Sequence, residues 1–270
     1  MLNHKTFLAK YGPWAIVTGA SDGIGYAFAE ELALQGMNLI VVARRADRLN
    51  ELALTLRSRF GVDVLVIAAD LSTPRGLAEV ADSTSQIDVG LFVASAGYGT
   101  SGPLLKANLS HERNMLELNC YAVLEQSVMF GNRFVERGKG GIILLSSLVG
   151  WQGVPQSVHY AATKAYVQSL AEGLRLELMA RHVDVLACAP GPVQSGFAAR
   201  ADMVMGASVL PAAVACKALK ALGRQGTVVP GALSKLLTFS LIPLPRSIRS
   251  VILGKVMGAM TKHQTAGAKG

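Results

Sequence analysis

Short apolar runs alternate with longer helical patterns along most of the chain, and this alternation restricts the fold more than any other feature. The predicted strands are apolar on both faces, which is typical of a parallel sheet covered by helices on two sides. We therefore expect an α/β fold with a doubly wound parallel sheet, Rossmann-like, of about seven strands in a three-layer α/β/α single domain. The predicted strands are 14–18, 38–43, 62–68, 89–94, 141–145, 183–189 and 227–230, and the main predicted helices are 24–35, 46–60, 111–137 and 157–181.

Composition narrows the class of protein. Hydrophobic residues make up 51% of the sequence and charged residues 16%, which excludes intrinsic disorder. Cys120, Cys188 and Cys216 are far apart and lack metal-type spacing, so we expect neither a disulfide framework nor a metal site. No secretory leader or bilayer-spanning run stands out, and we expect a cytoplasmic protein.

The net charge of +8 is concentrated near the C-terminal end. No acidic residue follows Asp202, whereas nine Lys and Arg residues do. A nucleic-acid interface would need aromatic residues or a recognition motif beside these cations, and Phe239 is the only aromatic residue in this part of the sequence. We therefore expect no nucleic-acid partner.

A glycine-rich segment joins the first predicted strand to the first predicted helix. Residues 18–25 read TGASDGIG, so the backbone can turn tightly and the N–H groups at the helix start can face an anion. The spacing differs from the usual dinucleotide pattern, and an ordinary glycine-rich turn is the alternative. The position between strand and helix favours pyrophosphate binding. The predicted contacts are Gly19, Ser21, Asp22, Gly23, Ile24 and Gly25.

The end of the second predicted strand indicates which dinucleotide binds. Arg44 and Arg45 follow that strand, and no acidic residue appears before Asp47. Guanidinium groups pair well with a ribose 2′-phosphate, whereas an NAD site would place an acidic residue here. We therefore predict NADP(H), with solvated arginines as the alternative. Asp70, which ends the third predicted strand, is either an acceptor for the adenine amino group or a helix cap.

Tyr160 and Lys164 are four residues apart at the start of a predicted helix, so they share one face of it. Ser147 follows the preceding strand, which places its hydroxyl at the same edge of the sheet. A lysine ammonium favours the phenolate form of tyrosine, so the phenol can exchange a proton with a substrate oxygen. Ser147 would hydrogen-bond that oxygen while a nicotinamide supplies the hydride.

Over about residues 14–200 the chain resembles the short-chain dehydrogenase/reductase family, because these motifs occur in the order that the family shows. The resemblance also covers Asp70, the segment 94–97, Asn119 and the pair Pro190 and Gly191. It implies that Tyr160 is the acid/base, that Ser147 positions the carbonyl, and that Lys164 lowers the pKa of Tyr160 and binds the nicotinamide ribose. It implies that Asn119 holds a water in a proton relay. The further cofactor contacts that it implies are Leu71, Ala96, Gly97, Tyr160, Lys164, Pro190, Gly191, Val193 and Ser195.

The resemblance extends to partners and to a branch of the family. It implies a homodimer or homotetramer through the long helices 111–137 and 157–181. The sequence looks most similar to the branch with 3-ketoacyl and 17β-hydroxysteroid reductases. Two departures are visible. Residues 94–97 read ASAG where the family commonly has Asn-Asn-Ala-Gly, and a serine replaces only part of an amide's hydrogen bonding. Ser195 stands where the family often has threonine.

The region after the sixth predicted strand should select the substrate. Phe197, Met203, Val204, Met205 and Leu210 make it apolar, which predicts a hydrophobic ketone or alcohol, acyl or steroid-like. The alternative is that these side chains simply pack on the sheet.

The chain divides into a dinucleotide-binding and catalytic unit, residues 1–230, and a basic apolar extension, residues 231–270. Pro243 and Pro245 separate two amphipathic stretches within residues 233–260. Such an extension can cover the substrate cleft, contact another subunit or lie weakly on a membrane surface. Docking onto protein is the favoured interpretation, and residues 265–270 are predicted to be disordered.

The predicted function is therefore that of an NADP(H)-dependent oxidoreductase that interconverts a small-molecule ketone and a secondary alcohol. The alternative is a catalytically silent dinucleotide-binding protein with a regulatory or scaffold role, with or without membrane association. The intact set of Ser147, Tyr160 and Lys164 favours the enzyme.

Overall fold

A sheet of parallel strands forms the centre of the protein, whose computed structural model describes residues 4–266, with the backbone alone for residues 265 and 266. Within those residues the sheet has seven strands: β1 Trp14–Thr18, β2 Asn38–Ala43, β3 Val64–Ala68, β4 Val89–Ala94, β5 Gly140–Leu145, β6 Val183–Cys188 and β7 Thr227–Val228. Their order is β3-β2-β1-β4-β5-β6-β7. The order reverses beside β1, where a crevice opens beyond the carboxyl ends of the strands.

Helices cover both faces of this sheet. They are α1 His4–Tyr11, α2 Gly23–Leu34, α3 Ala46–Phe60, α4 Pro74–Thr84, α5 Leu109–Leu116, α6 Ala122–Arg137, α7 Val158–Met179, α8 Phe197–Arg200, α9 Pro211–Ala221, α10 Ala232–Leu241, α11 Arg246–Met260 and α12 Lys262–Ala266. One buried apolar layer packs α2, α3 and α9 on the sheet, and the opposite layer packs α4, α6 and α7. The predicted three-layer, doubly wound fold is confirmed.

Local signals explain where several helices begin and end. Thr73 Oγ1 accepts a hydrogen bond from the Gly76 N–H at 3.1 Å, and Pro74 follows it in the first turn of α4. Gly61 and Gly138, with φ values of +66° and +71°, end α3 and α6 in the left-handed conformation. These boundaries are encoded by residues that lie next to them in the sequence.

Other boundaries differ from the sequence predictions. The helix predicted over 111–137 is two α-helices joined by a π-helix, Glu117–Tyr121, because apolar spacing does not report one extra backbone residue in a turn. β3 begins at Val64 rather than at residue 62, because Val62 is buried in the turn that leads into the strand. α1 was not predicted. Residues 265 and 266 are helical where disorder was predicted, and residues 267–270 lie outside the described part.

Within residues 4–266, no helix is long and apolar enough to cross a membrane. No group of His, Cys, Asp and Glu side chains there could hold a metal ion.

Candidate active site

A cavity of ≈ 850 Å³ opens in the crevice beyond the strand ends. It is lined by the turn after β1, by the segments after β2 to β6 and by the C-terminal helices. Of the sequence-predicted site residues, Gly25 and Asn119 do not line it. The predicted residues that do are Gly19, Ser21, Asp22, Gly23, Ile24, Arg44, Arg45, Asp70, Leu71, Ala96, Gly97, Ser147, Tyr160, Lys164, Pro190, Gly191, Val193 and Ser195.

The glycines of the turn after β1 are required by backbone geometry. Gly19 has a φ of +68°, and a Cβ atom there would lie 2.8 Å from the Ala96 Cα. Gly23 has a φ of +55°, and its Cβ would lie 2.7 Å from the Ser195 Cβ. A Cβ at Gly25 would lie 2.3 Å from the Gly19 carbonyl oxygen, so Gly25 packs the helix start beneath the turn. The turn therefore meets the segments after both β4 and β6.

The N-terminus of α2 is arranged to receive an anion. Asp22 is its N-cap residue but makes no side-chain capping hydrogen bond, so it leaves the N–H groups of the first turn available. Arg45 donates to the Ser21 hydroxyl at 3.1 Å and to the Ser21 carbonyl at 3.3 Å, and it lies 4.0 Å from the Asp22 carboxylate. The residues present fit a dinucleotide pyrophosphate.

Arg44 and Asp70 face each other across the adjacent wall. Arg44 Nη1 lies 3.9 Å from Asp70 Oδ2. Asp70 Oδ1 accepts hydrogen bonds from the N–H and the hydroxyl of Ser72 at 3.0 and 2.8 Å. Asp70 Oδ1 therefore closes the turn before α4, and Asp70 Oδ2 lies on the side of Arg44. Thr73, and not Asp70, is the N-cap residue of α4.

Arg200 is a wall residue that the sequence analysis missed. It ends α8, and its guanidinium carbon lies 4.5 Å from the centre of the Tyr98 ring. Burial lowers the pKa of Arg200, and the like charges of Arg44 and Arg45 lower it further. Three guanidinium groups thus lie near one another at this end of the cavity, where a phosphate would relieve their repulsion. The sequence did not indicate a role for Arg200, because a single arginine in an apolar region belongs to no recognisable motif.

Three of the four predicted catalytic residues, Ser147, Tyr160 and Lys164, line the same cavity. Tyr160 and Lys164 lie one turn apart on α7 and are 8% and 7% exposed. Lys164 Nζ donates to the Leu145 carbonyl at 2.7 Å and lies 5.8 Å from the centre of the Tyr160 ring. Ser147 precedes a short 3₁₀ segment and accepts from the Val149 N–H at 3.4 Å, and it lines the same cavity as Tyr160.

Burial dominates the protonation of this set. Burial raises the pKa of Tyr160 to about 12, and the neighbouring Ser147 side chain lowers that pKa by a smaller amount. Burial also lowers the pKa of Lys164 to about 8. The sequence predicted that Lys164 would lower the pKa of Tyr160, but the charged forms of both groups lose hydration here. Below a pH of about 12 the phenol is therefore protonated and able to donate its proton.

Asn119 lies behind the cavity, fully buried in the π-helix. Its Oδ1 accepts from the Tyr98 N–H at 3.2 Å, and its Nδ2 donates to the Tyr98 carbonyl at 2.8 Å and to Thr163 Oγ1 at 3.1 Å. Thr163 in turn donates to the Tyr160 carbonyl at 2.8 Å. The side chain of Asn119 therefore fastens the segment after β4 to α7. Its water-holding role stays a prediction.

Thr18 holds the segment in which the sequence reads ASAG. Its hydroxyl accepts from the N–H groups of Ser95 and Ala96, both at 3.1 Å, and donates to the Val93 carbonyl at 3.4 Å. No role was predicted for Thr18 itself, although a hydroxyl at the carboxyl end of β1 could have indicated a hydrogen bond to the end of the neighbouring strand.

Apolar side chains surround the space beyond Tyr160. The rings of Tyr160 and Phe197 have their centres 5.4 Å apart. Met203 and Met205 also line the cavity, as predicted, whereas Val204 and Leu210 are exposed and do not line it.

The C-terminal helices form the remaining wall. The cavity-lining residues that they supply are Leu233, Ser234, Leu237, Leu253, Val256, Met257 and Met260. α12 fastens this wall to two loops, since His263 Nε2 lies 3.0 Å from Asp202 Oδ1 and Gln264 donates to the Ser101 hydroxyl at 2.8 Å. The extension therefore contacts the unit that precedes it along its inner face.

Comparison with known proteins agrees with this geometry. A sequence model of the family described as short chain dehydrogenase matches residues 13–203. The chain is 31% identical over 233 residues to a 7β-hydroxysteroid dehydrogenase from Clostridium sardiniense, covering 85% of this chain and 89% of that protein. It is 30% identical over 186 residues to very-long-chain 3-oxoacyl-CoA reductase-B from Danio rerio, covering 67% of this chain and 60% of that protein.

A solved structure is similar as well. A short-chain dehydrogenase from Sphingobium yanoikuyae, solved in complex with NADPH, superposes with a TM-score of 0.80 at 30% identity, covering 88% of this chain and 96% of that one. The predicted neighbourhood of steroid and ketoacyl reductases is confirmed.

Proposed function

The chain belongs to the short-chain dehydrogenase family and is an oxidoreductase, and on that premise we propose that it interconverts a carbonyl and a secondary alcohol with NADP(H). One observation carries the proposal. Ser147, Tyr160 and the buried Lys164 line the same cavity as the glycine turn and the arginines. The dinucleotide site and the proton-transfer site therefore share one enclosed space.

Tyr160 is the acid/base in this proposal. During reduction its hydroxyl gives its proton to the carbonyl oxygen, and during oxidation the phenolate takes the proton of the alcohol. The nicotinamide, when bound, supplies the hydride to the carbonyl carbon or accepts it from the alcohol. A pKa of about 12 keeps Tyr160 protonated at neutral pH, which suits reduction.

Ser147 and Lys164 assist in different ways. The Ser147 side chain lines the same cavity as the phenol, and we assign its hydroxyl to hydrogen-bond the substrate oxygen and stabilise its developing charge. Lys164 uses one of its three N–H donors on Leu145. Its ammonium is the positive charge that would favour phenolate during oxidation, and its remaining donors can bind the nicotinamide ribose. Asn119, in our proposal, supports the relay of the proton.

NADP(H) is the proposed cofactor because Arg44, Arg45 and Arg200 line the cavity. Arg45 is the N-cap residue of α3, where the helix dipole disfavours a cation unless an anion is present. Arg44 and Arg200 lie nearby, so a 2′-phosphate would be surrounded by guanidinium groups. The NADPH complex of the Sphingobium relative supports this assignment.

A hydrophobic ketone or alcohol, acyl or steroid-like, is the proposed substrate. Apolar and thioether side chains from α8, α10 and α11 form the wall beyond Tyr160. Met side chains adapt to irregular apolar ligands. The names of the Clostridium and Danio relatives, a hydroxysteroid dehydrogenase and a 3-oxoacyl-CoA reductase, support the same class.

The assembly is a proposal as well. Val128 on α6 and Leu176 and Met179 on α7 are 55%, 70% and 62% exposed, which favours burial of these helices in a homodimer or homotetramer. We place the protein in the cytoplasm and assign residues 231–270 the role of a substrate lid on residues 1–230.

A panel of ketones and alcohols with NADPH and NADH tests the function. We expect oxidation of NADPH in the presence of a bulky apolar ketone, such as a steroid ketone or a long-chain 3-oxoacyl thioester, and a slower rate with a small polar ketone. Absorbance of the reduced nicotinamide is the measurement. Tight NADPH binding without turnover of any member of the panel would instead support the silent regulatory protein.

A further inference from the structure

The C-terminal helices also carry large apolar side chains that are exposed to solvent, with Leu233 at the cavity rim. Six large apolar side chains there are between 45% and 65% exposed. We call this set the outer face: Leu233, Leu236, Phe239, Ile242, Ile248 and Val251. Single exposed apolar residues are ordinary, but a group of this kind on two consecutive helices marks an interaction surface.

Cations accompany the outer face. Lys235, Arg246 and Lys255 are exposed on the same two helices. Arg249 is turned inward instead, since its guanidinium donates to two backbone carbonyls at 2.8 and 3.0 Å. No acidic residue follows Asp202 in the sequence. Apolar side chains interleaved with lysine and arginine match the surface of an anionic bilayer, where the apolar groups enter the headgroup region and the cations meet lipid phosphates.

A second copy of the chain fits the outer face less well. In a two-fold contact the same patch meets itself, so Lys235, Arg246 and Lys255 would approach their own counterparts. Residues 203–266 offer no carboxylate to compensate that repulsion. An anionic lipid surface supplies the missing negative charge.

The cavity opens beside the outer face. Leu233 and Val256 line the cavity and are also 52% and 38% exposed, so they lie at its rim. Leu237 and Met257 continue the same wall inward. Apolar side chains therefore continue from the exposed surface into the cavity wall, which suits the entry of a ligand dissolved in lipid.

We propose that the outer face docks on an anionic bilayer and that apolar substrates enter the cavity from the lipid between Leu233 and Val256. Docking needs no turnover, whereas substrate entry rests on the proposed function. The protein lies on the surface in this arrangement, in keeping with the finding that no helix of residues 4–266 could span a membrane.

Co-sedimentation of the full chain with vesicles tests docking. The wild type should sediment with vesicles rich in phosphatidylglycerol, and should do so less at high salt because screening weakens the attraction. Removing two cations, Lys235→Gln with Lys255→Gln, should lower the partition coefficient about tenfold or more. Leu236→Gln with Phe239→Gln should also lower it about tenfold or more, because less apolar area is buried.

The matched control is Leu34→Gln with Leu54→Gln, since these side chains are 54% and 66% exposed on α2 and α3. This control should sediment like the wild type, and so should Tyr160→Phe, which separates docking from turnover. A wild type that stays in the supernatant overturns docking. Sedimentation that neither the cation pair nor the apolar pair of substitutions reduces overturns it as well. A loss of oligomer mass in the Leu236/Phe239 variant without vesicle binding by the wild type would assign the outer face to a subunit contact.

Substrate entry has its own readout. For a ketone dissolved in the vesicles, the Leu236/Phe239 variant should lose at least about tenfold in rate, in proportion to its lost binding. For a water-soluble ketone its kcat/KM should match that of the wild type. Equal losses with both ketones would overturn entry from lipid and leave the proposed function intact.

Discussion

Tyr160→Phe should lower kcat for ketone reduction about a thousandfold while NADPH binds as tightly as to the wild type. The substitution removes the phenol hydroxyl and keeps the ring, whose centre packs 5.4 Å from that of Phe197. The carbonyl oxygen then has no acid to protonate it as the hydride arrives. Lys164 does not replace this acid in our proposal, because its Nζ lies 5.8 Å from the centre of the Tyr160 ring, beside the Leu145 carbonyl, and not at the position of the phenol oxygen.

Steady-state rates and fluorescence titration with NADPH measure the two halves of this prediction. Tyr166→Phe is the control, since Tyr166 is on the same helix, 39% exposed, and outside the cavity wall. It should retain wild-type activity. A Tyr160→Phe protein with undiminished kcat would remove Tyr160 from the mechanism, and a protein that no longer binds NADPH would show a structural role instead.

Arg44→Ala combined with Arg45→Ala should raise the Kd for NADPH about a hundredfold, because hydrogen bonds to charged groups contribute about 1.5–3 kcal/mol each. The Kd for NADH should rise far less, since NADH has no 2′-phosphate for either guanidinium to bind, and any rise should come from the lost Arg45 hydrogen bonds to Ser21. The ratio of the two Kd values, from fluorescence titration, isolates the phosphate contribution from any general weakening of the site.

Single variants sharpen this test. Arg45 also bonds Ser21 in the glycine turn, so its loss can disturb the binding of both cofactors. Arg44 contacts Asp70 and not the turn, so Arg44→Ala should act on NADPH alone. Arg48→Ala is the control, because Arg48 is in the first turn of α3, close to Arg44 in the sequence, and pairs with Glu51 outside the cavity. An equal loss of affinity for NADH and NADPH in Arg44→Ala would refute the phosphate assignment.

Features with local signals were predictable from the sequence. The strands follow from apolar runs, the start of α4 from Thr73 and Pro74, and the shared helix face of Tyr160 and Lys164 from their spacing. The glycine turn was predictable because Gly19 adopts a positive φ that other residues rarely adopt.

Features that depend on distant partners were not predictable. Thr18 acts on a segment 77 residues away, and Arg200 acquires its role only where α8 meets Tyr98. The π-helix shifts the backbone without changing the apolar pattern, so Asn119 was expected in an unbroken helix. The direction of the Tyr160 pKa also depends on burial, which its spacing from Lys164 does not report.

In the mechanism that we propose, Tyr160 and Ser147 hold the carbonyl oxygen of the substrate beside a bound nicotinamide, whose ribose Lys164 binds. The most direct measurement follows deuterium from NADPH labelled at both C4 positions into the product of an apolar ketone. We expect an alcohol that carries one deuterium on its carbinol carbon, formed by the wild type and about a thousandfold more slowly by Tyr160→Phe. Alcohol without label, or labelled alcohol formed equally by both proteins, would contradict this mechanism.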